Sequence, residues 1–147
     1  MNPKIRRAHH GDLIAMAACD PLASAGGSRR AWLEESLELA ICLVTEGAEG
    51  MAGFLVLERR FFGHAFVSLL VVHPEARRRG HAIALLAAAE GLCRTDKLFT
   101  STNVSNLAAQ ELFLRTGFQP SGTITNLDEG DDDLVFCKAV GQPKSDC

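Results

Sequence analysis

The chain has 147 residues, the size of one ordinary domain, and is 47% hydrophobic and 22% charged, so it can bury a core and is not disordered. Its formal net charge of -3 argues against a general nucleic-acid binder, which is usually basic overall. No apolar run reaches about 18 residues free of charge, and Asp12 with paired His and Arg residues interrupts the start, so neither a membrane span nor a signal peptide is expected.

In chain order, Lys4–Arg7 reads as a short strand. A helix follows from Gly11-Asp12 through Leu13, Ile14, Met16 and Ala17, with Asp12 as N-cap. Pro21 to Ser28 reads as a loop. Arg30 to Leu39 reads as a second helix, with Trp32, Leu33, Leu37 and Ala40 at spacings that share faces. Ile41–Thr45, Met51–Leu57 and His64–Val72 read as three strands of an antiparallel meander, with a turn at Gly47–Gly50 and a hairpin closed by Arg59 to Gly63. Ile83–Cys93 is a central helix whose stripe Ile83, Leu86 and Cys93 reads as core. Lys97–Ser101 is a strand, and Leu107–Arg115 is a helix capped by Ser105 or Asn106 and ended by Gly117. Phe118–Asn126 and Leu134–Ala139 are two last strands. The expected class is α/β (α+β), with a mixed, mostly antiparallel sheet of six to seven strands and helices on both faces. Residues 1–140 are expected to form one domain, and 141–147 a loose tail.

The five cysteines, Cys19, Cys42, Cys93, Cys137 and Cys147, are odd in number and show no CxxC spacing. They read as free thiols in a reducing compartment, with no disulfide frame and no zinc site. A cytoplasmic protein is expected. His9 and His10 are adjacent, the wrong spacing for a shared helix face, and no metal site is expected.

One segment resists a purely structural reading. Arg77-Arg78-Arg79-Gly80-His81-Ala82 follows a strand and opens a helix, although a helix N-terminus carries roughly half a positive charge and normally attracts acids. An anion placed there would reconcile the two. The first amides of a helix lack intrahelical partners, and Gly80 lets a ligand approach the backbone, so the turn can cradle phosphate. A solvated basic patch is the plain alternative. The P-loop and the Rossmann glycine pattern are both absent.

The segment resembles the acyl-CoA-binding motif of the GNAT superfamily of N-acetyltransferases, Q/R-x-x-G-x-G/A, carried here by Arg77, Gly80 and Ala82. A second stretch resembles that family's signature N-x-x-A-x-x-x-Y-x-x-x-G-F, with Asn106, Ala109, Phe113, Gly117 and Phe118 in the matching places. The resemblance implies a GNAT fold and transfer of an acetyl group from acetyl-CoA, as cosubstrate, to a primary amine by direct attack through a tetrahedral intermediate. It implies that Leu70, Val71 and Val72 bind the pantetheine arm through their main chain, as an added strand would. The diphosphate would lie on the amides of Arg78 to Ile83, including His81 and Ala82, while Asn106 would meet the pantetheine arm or position the second helix (a plain helix cap is its alternative), Ala109 belongs to the same cofactor-binding set, and Phe113 would pack against the thiol end. No metal is required.

Phe113 stands where many members carry a tyrosine acid, and the chain contains no tyrosine. That departure keeps a catalytically weak acyl-CoA sensor or interaction domain as the alternative. Ser105 is a candidate proton donor, and Glu58 and His64 are candidate bases, with Ser68, His73 and Glu75 also weighed. The acceptor is expected to be a small-molecule or protein amine, with no nucleic acid or membrane partner and with a homodimer plausible by family resemblance. The turn from Asp128 to Asp133 holds five acids in six residues. It reads either as a solvated hairpin tip or as a lure for a cationic amine.

Overall fold

The computed structural model describes residues 3–24 and 26–141; the expected tail beyond Gly141, including Cys147, lies outside them. Seven strands form one hydrogen-bonded sheet: β1 (Lys4–Arg7), β2 (Ile41–Gly47), β3 (Gly50–Phe61), β4 (His64–Val72), β5 (Lys97–Asn103), β6 (Gln119–Ile124) and β7 (Asp133–Ala139). Their order is β1-β2-β3-β4-β5-β7-β6. β4 and β5 pair in parallel, whereas β1/β2, β2/β3, β5/β7 and β6/β7 are antiparallel. The helices are α1 (Leu13–Cys19), α2 (Pro21–Ser24), α3 (Gly27–Leu39), α4 (His81–Leu92) and α5 (Leu107–Arg115). This is the mixed, mostly antiparallel sheet with surrounding helices that the sequence predicts.

Contacts divide the chain into two compact units. One runs up to Glu58 and resumes at Leu69–Gly91; the other holds Arg59–Ser68 and the chain from Leu92. In the first unit, Met16, Leu33, Val44, Phe54 and Val56 are fully buried together, with Trp32, Leu37, Leu69 and Val71 packed against them. Each such aliphatic or aromatic side chain contributes about 1.5–3 kcal/mol on burial. Val44 faces this cluster and Thr45, one residue on, faces the other way, as the two-residue strand period requires. Both sides of β2 are therefore buried.

Several local readings need correction. Pro21–Ser24 is a helical turn and not loop, because the Asp20 carboxylate accepts the Leu22 N–H at 3.1 Å and proline favours a first helical position. Asp12 does not cap α1 with its side chain. Its carboxylate instead takes two bonds from Arg6, both 2.9 Å, and one from the His9 N–H. The β3–β4 hairpin closes at Phe62-Gly63, with φ of 51° and 81°, so β3 runs on to Phe61. Two consecutive left-handed residues match the twist of a two-residue hairpin turn. Ile83 is 47% exposed and Cys93 is half-buried, so of the expected core stripe only Leu86 is core. Cys19 and Cys42 are buried and free; Cys93 and Cys137 are free and half-buried.

The Arg6–Asp12 pair makes a pH prediction. Hydrogen bonds from Arg6 chiefly hold the Asp12 carboxyl at about 2, against an ordinary 3.8, and Asp12 is only 7% exposed. A depressed folded pKa contributes stability above the unfolded value and loses it as pH falls through the folded one. The contribution should therefore be complete above pH 3.8 and vanish as pH falls through about 2. It is on the order of 2 kcal/mol. Denaturant unfolding of wild type against Asp12→Asn should show that gap at pH 6, its narrowing below pH ~4 and its closure below pH ~2.

Candidate active site

β4 ends at Val72, and a 3-10 turn at Pro74–Ala76 follows. His73 caps that turn, its Nδ1 accepting the Glu75 N–H at 3.1 Å. Arg78 and Gly80 then adopt positive φ, 66° and 85°, and α4 begins at His81. Alternation of hand in successive residues turns neighbouring N–H groups toward a common point. The left-handed region costs a residue with a Cβ roughly 1–2 kcal/mol, so Arg78 is held there against its preference. Strain of this kind clusters at binding turns. Arg77, Arg78, Arg79 and Gly80 are all exposed, and a Cβ on Gly80 would meet nothing within 4 Å. The turn thus offers free backbone amides and three guanidinium groups to solvent, which suits a multiply charged anion.

His81 behaves differently from its neighbours. It is 6% exposed, and its Nδ1 is hydrogen-bonded to Thr45 Oγ1 on β2 at 2.7 Å. Burial first, and then the charge of Arg79, lower its pKa, so its side chain adds no positive charge to the turn at neutral pH. The sequence does not announce this pair, because Thr45 lies far upstream inside an apolar strand.

In β4, the parallel ladder with β5 covers Ala65–Val67 and Leu98–Thr100. Leu70, Val71 and Val72 lie outside that ladder. Arg77 Nε donates to the Val72 carbonyl at 3.3 Å. The register between β2 and β3 shifts between Thr45 and Glu46, and the displaced Ala52 carbonyl accepts the His73 N–H at 2.7 Å. At Gly53 the two backbones come very close. A Cβ there would stand 2.4 Å from the Val71 carbonyl oxygen.

In the second unit, Asn106 caps α5, its Oδ1 accepting the Ala109 N–H at 3.1 Å. Gly117, at φ 103°, ends that helix as expected. Phe113 is 3% exposed and packs against Phe118 and Phe136, ring centroids 5.6 and 5.4 Å away. The acidic turn is not simply a solvated tip. Asn103 Nδ2 lies within donating distance of Asp128 Oδ2 (2.8 Å), the Asp131 carbonyl (3.0 Å) and Asp133 Oδ1 (3.0 Å). Burial, and next the neighbouring Asp128, raise the Asp133 pKa. The turn is thereby fastened to the end of β5.

The candidate acid and bases fare unequally. Ser105 is exposed, but its hydroxyl donates to Asp131 Oδ2 and its N–H to Asp131 Oδ1. Its proton is thus already engaged by a carboxylate. His64 opens β4 at the hairpin end. At about 3.3 Å per residue it is roughly 20 Å or more along the strand from Leu70–Val72. Its Nδ1 is 3.9 Å from Asp96. Glu58 is about 16 Å along β3 from Gly53 by the same measure. Among the described residues no group of three or more His, Cys, Asp or Glu side chains could hold a metal ion. No helix among them is long and apolar enough to cross a membrane.

The profile of the Acetyltransferase (GNAT) family matches residues 17–118, a span that includes β4, the arginine-glycine turn and α5. A GNAT-family acetyltransferase from Bacillus cereus superposes with a TM-score of 0.87 at 33% identity, covering 97% of this chain and 100% of its own. A ribosomal-protein alanine N-acetyltransferase from Escherichia coli gives 0.81 at 19% identity, covering 99% of each chain. A putative acetyltransferase from Salmonella typhimurium, solved with acetyl-CoA, gives 0.74 at 18% identity, covering 97% and 96%. The last two share the fold. The comparison with curated proteins returned no significant match. Family profile, strand order and turn geometry agree: the chain belongs to the GNAT acetyltransferase family.

Proposed function

We propose that the chain transfers an acetyl group from acetyl-CoA to a primary amine. The observation that carries the reading is the Arg77–Ile83 turn, where two left-handed residues and three exposed arginines lie directly ahead of a helix N-terminus. The N–H groups of Arg78 to Ile83 hold the diphosphate, and Arg77, Arg78 and Arg79 balance its charge. The main chain of Leu70–Val72, outside the β5 ladder, pairs with the pantetheine arm as an added strand. The Val72 N–H polarises the thioester carbonyl where negative charge develops. A neutral amine attacks that carbonyl directly, and the tetrahedral adduct releases its extra N–H proton to solvent before it collapses, so no acyl-enzyme is formed. Thiols titrate near ~8.5, so the leaving thiolate can depart without a strong acid and take its proton from water. That removes the need for a tyrosine at position 113.

Carboxylates of the acidic turn support a cationic acceptor by long-range attraction. A thiol-release assay with acetyl-CoA over a panel of small amines and N-terminal peptides tests the proposal. Turnover with any of them supports it. Saturable CoA binding with no turnover across the panel would assign the chain to the sensor role instead.

Phe113 gives a separate check. Its ring is buried among Phe118 and Phe136, and a hydroxyl placed there must find a partner or cost about 1–3 kcal/mol. Phe113→Tyr should lower the melting temperature and leave CoA affinity within about twofold, read by thermal unfolding and calorimetric titration. A large gain in turnover would show instead that position 113 reaches the thiol.

A further inference from the structure

We propose that the Thr45–His81 hydrogen bond is a positioning device, which sets the first turn of α4 at the height where its amides meet the diphosphate. The inference rests on the CoA reading above and adds a residue pair that the family motif does not name. His81 contributes one of the amides, yet its side chain points away from solvent to a partner on β2. Thr45 is 0% exposed and His81 6%.

The rest of α4 is anchored through Leu85, Leu86 and Ala89, all buried. Apolar contacts of that kind are non-directional. A hydrogen bond between two buried groups is directional, and an unpaired partner is heavily penalised. The bond therefore fixes what the apolar contacts leave loose. β2 is a firm base, being paired along both edges with β1 and β3. Thr45 sits beside the register shift of the β2–β3 ladder, and Gly47, farther along β2, leaves room beside the ring: a Cβ there would lie 3.6 Å from His81 Nε2. Arg79 is the charged group that acts on the imidazole, and with burial it keeps the ring neutral. The Thr45 hydroxyl can rotate to serve as donor or acceptor, so it matches either tautomer.

Hydrogen bonds to phosphate hold only over a narrow range of distance and angle, so a small displacement of the turn forfeits several charge-assisted bonds at once. Thr45→Val keeps shape and removes the hydroxyl. It should weaken CoA binding and raise the acetyl-CoA KM by about ten- to a hundredfold, with kcat changed by less than about threefold. Thr45→Ser should restore both constants to near wild type. His81→Leu removes the bond from the other side, and it repeats the test if Thr45→Val does not fold. A variant that melts lower yet binds CoA as wild type does would overturn the positioning role and leave the CoA reading standing. Failure of the wild type itself to bind CoA would overturn both.

Discussion

Gly53→Val should leave little folded protein. A Cβ at this position would lie 2.4 Å from the Val71 carbonyl oxygen and 3.0 Å from the Val72 Cα. Both obstacles are backbone, so no side chain can swing aside. Relief requires β3 and β4 to part where Val71 also packs on the central cluster of Met16, Leu33 and Phe54. Strain combined with lost ladder bonds belongs to the mechanisms that exceed about 4 kcal/mol, a large share of the 5–15 kcal/mol typical of a domain. Even Gly53→Ala carries the clashing atom and should lose several kcal/mol. Denaturant unfolding followed by circular dichroism measures the loss. A Gly53→Ala variant within about 1 kcal/mol of wild type would mean that the strands stand farther apart than described.

Gly80→Val should do the reverse, sparing the fold and abolishing cofactor binding. A Cβ on Gly80 meets nothing within 4 Å, so the cost to the folded protein is the left-handed φ of 85°, about 1–2 kcal/mol for a residue with a Cβ and more for a branched one. The same open space is where the diphosphate must approach the amides. Filling it with a branched side chain should weaken CoA binding by a hundredfold or more, beyond anything the modest strain explains. Arg79→Glu should act in the same direction by placing a negative charge beside the phosphates. Calorimetric titration with CoA, paired with unfolding curves for the same variants, separates the two effects. Loss of binding in simple proportion to loss of stability would return the turn to a merely structural role.

These two glycines show how far the sequence carries. Gly80 is legible because it lies inside a motif, directly after three arginines that an anion reconciles with a helix start. Gly53 is not, because its constraint is a carbonyl eighteen residues away on a neighbouring strand. Strand β4 and helix α5 were read with their observed ends, since apolar runs and a cap residue mark them locally. The hairpin end was misplaced because Phe62 is an unusual residue for positive φ, and nothing in Arg59–Gly63 reveals that β3 continues. His64 and Glu58 are candidate bases by residue type, but a base is chosen by distance, and a one-dimensional pattern carries no distances between strands. By its position in the motif His81 offers its amide to the phosphate, and the sequence gives its side chain no partner. Its burial against Thr45 depends on which face of α4 meets β2, which the motif does not specify.

Binding of CoA by the turn from Arg77 to Ile83 is read out by thermal unfolding with added acetyl-CoA. A ligand at about a hundred times its dissociation constant stabilises the native state by about 2.7 kcal/mol, a rise in melting temperature of roughly 5–11 °C for a domain of this size. The account predicts such a saturable rise for wild type and its near-complete loss in Gly80→Val. An unchanged melting temperature at millimolar acetyl-CoA would contradict it.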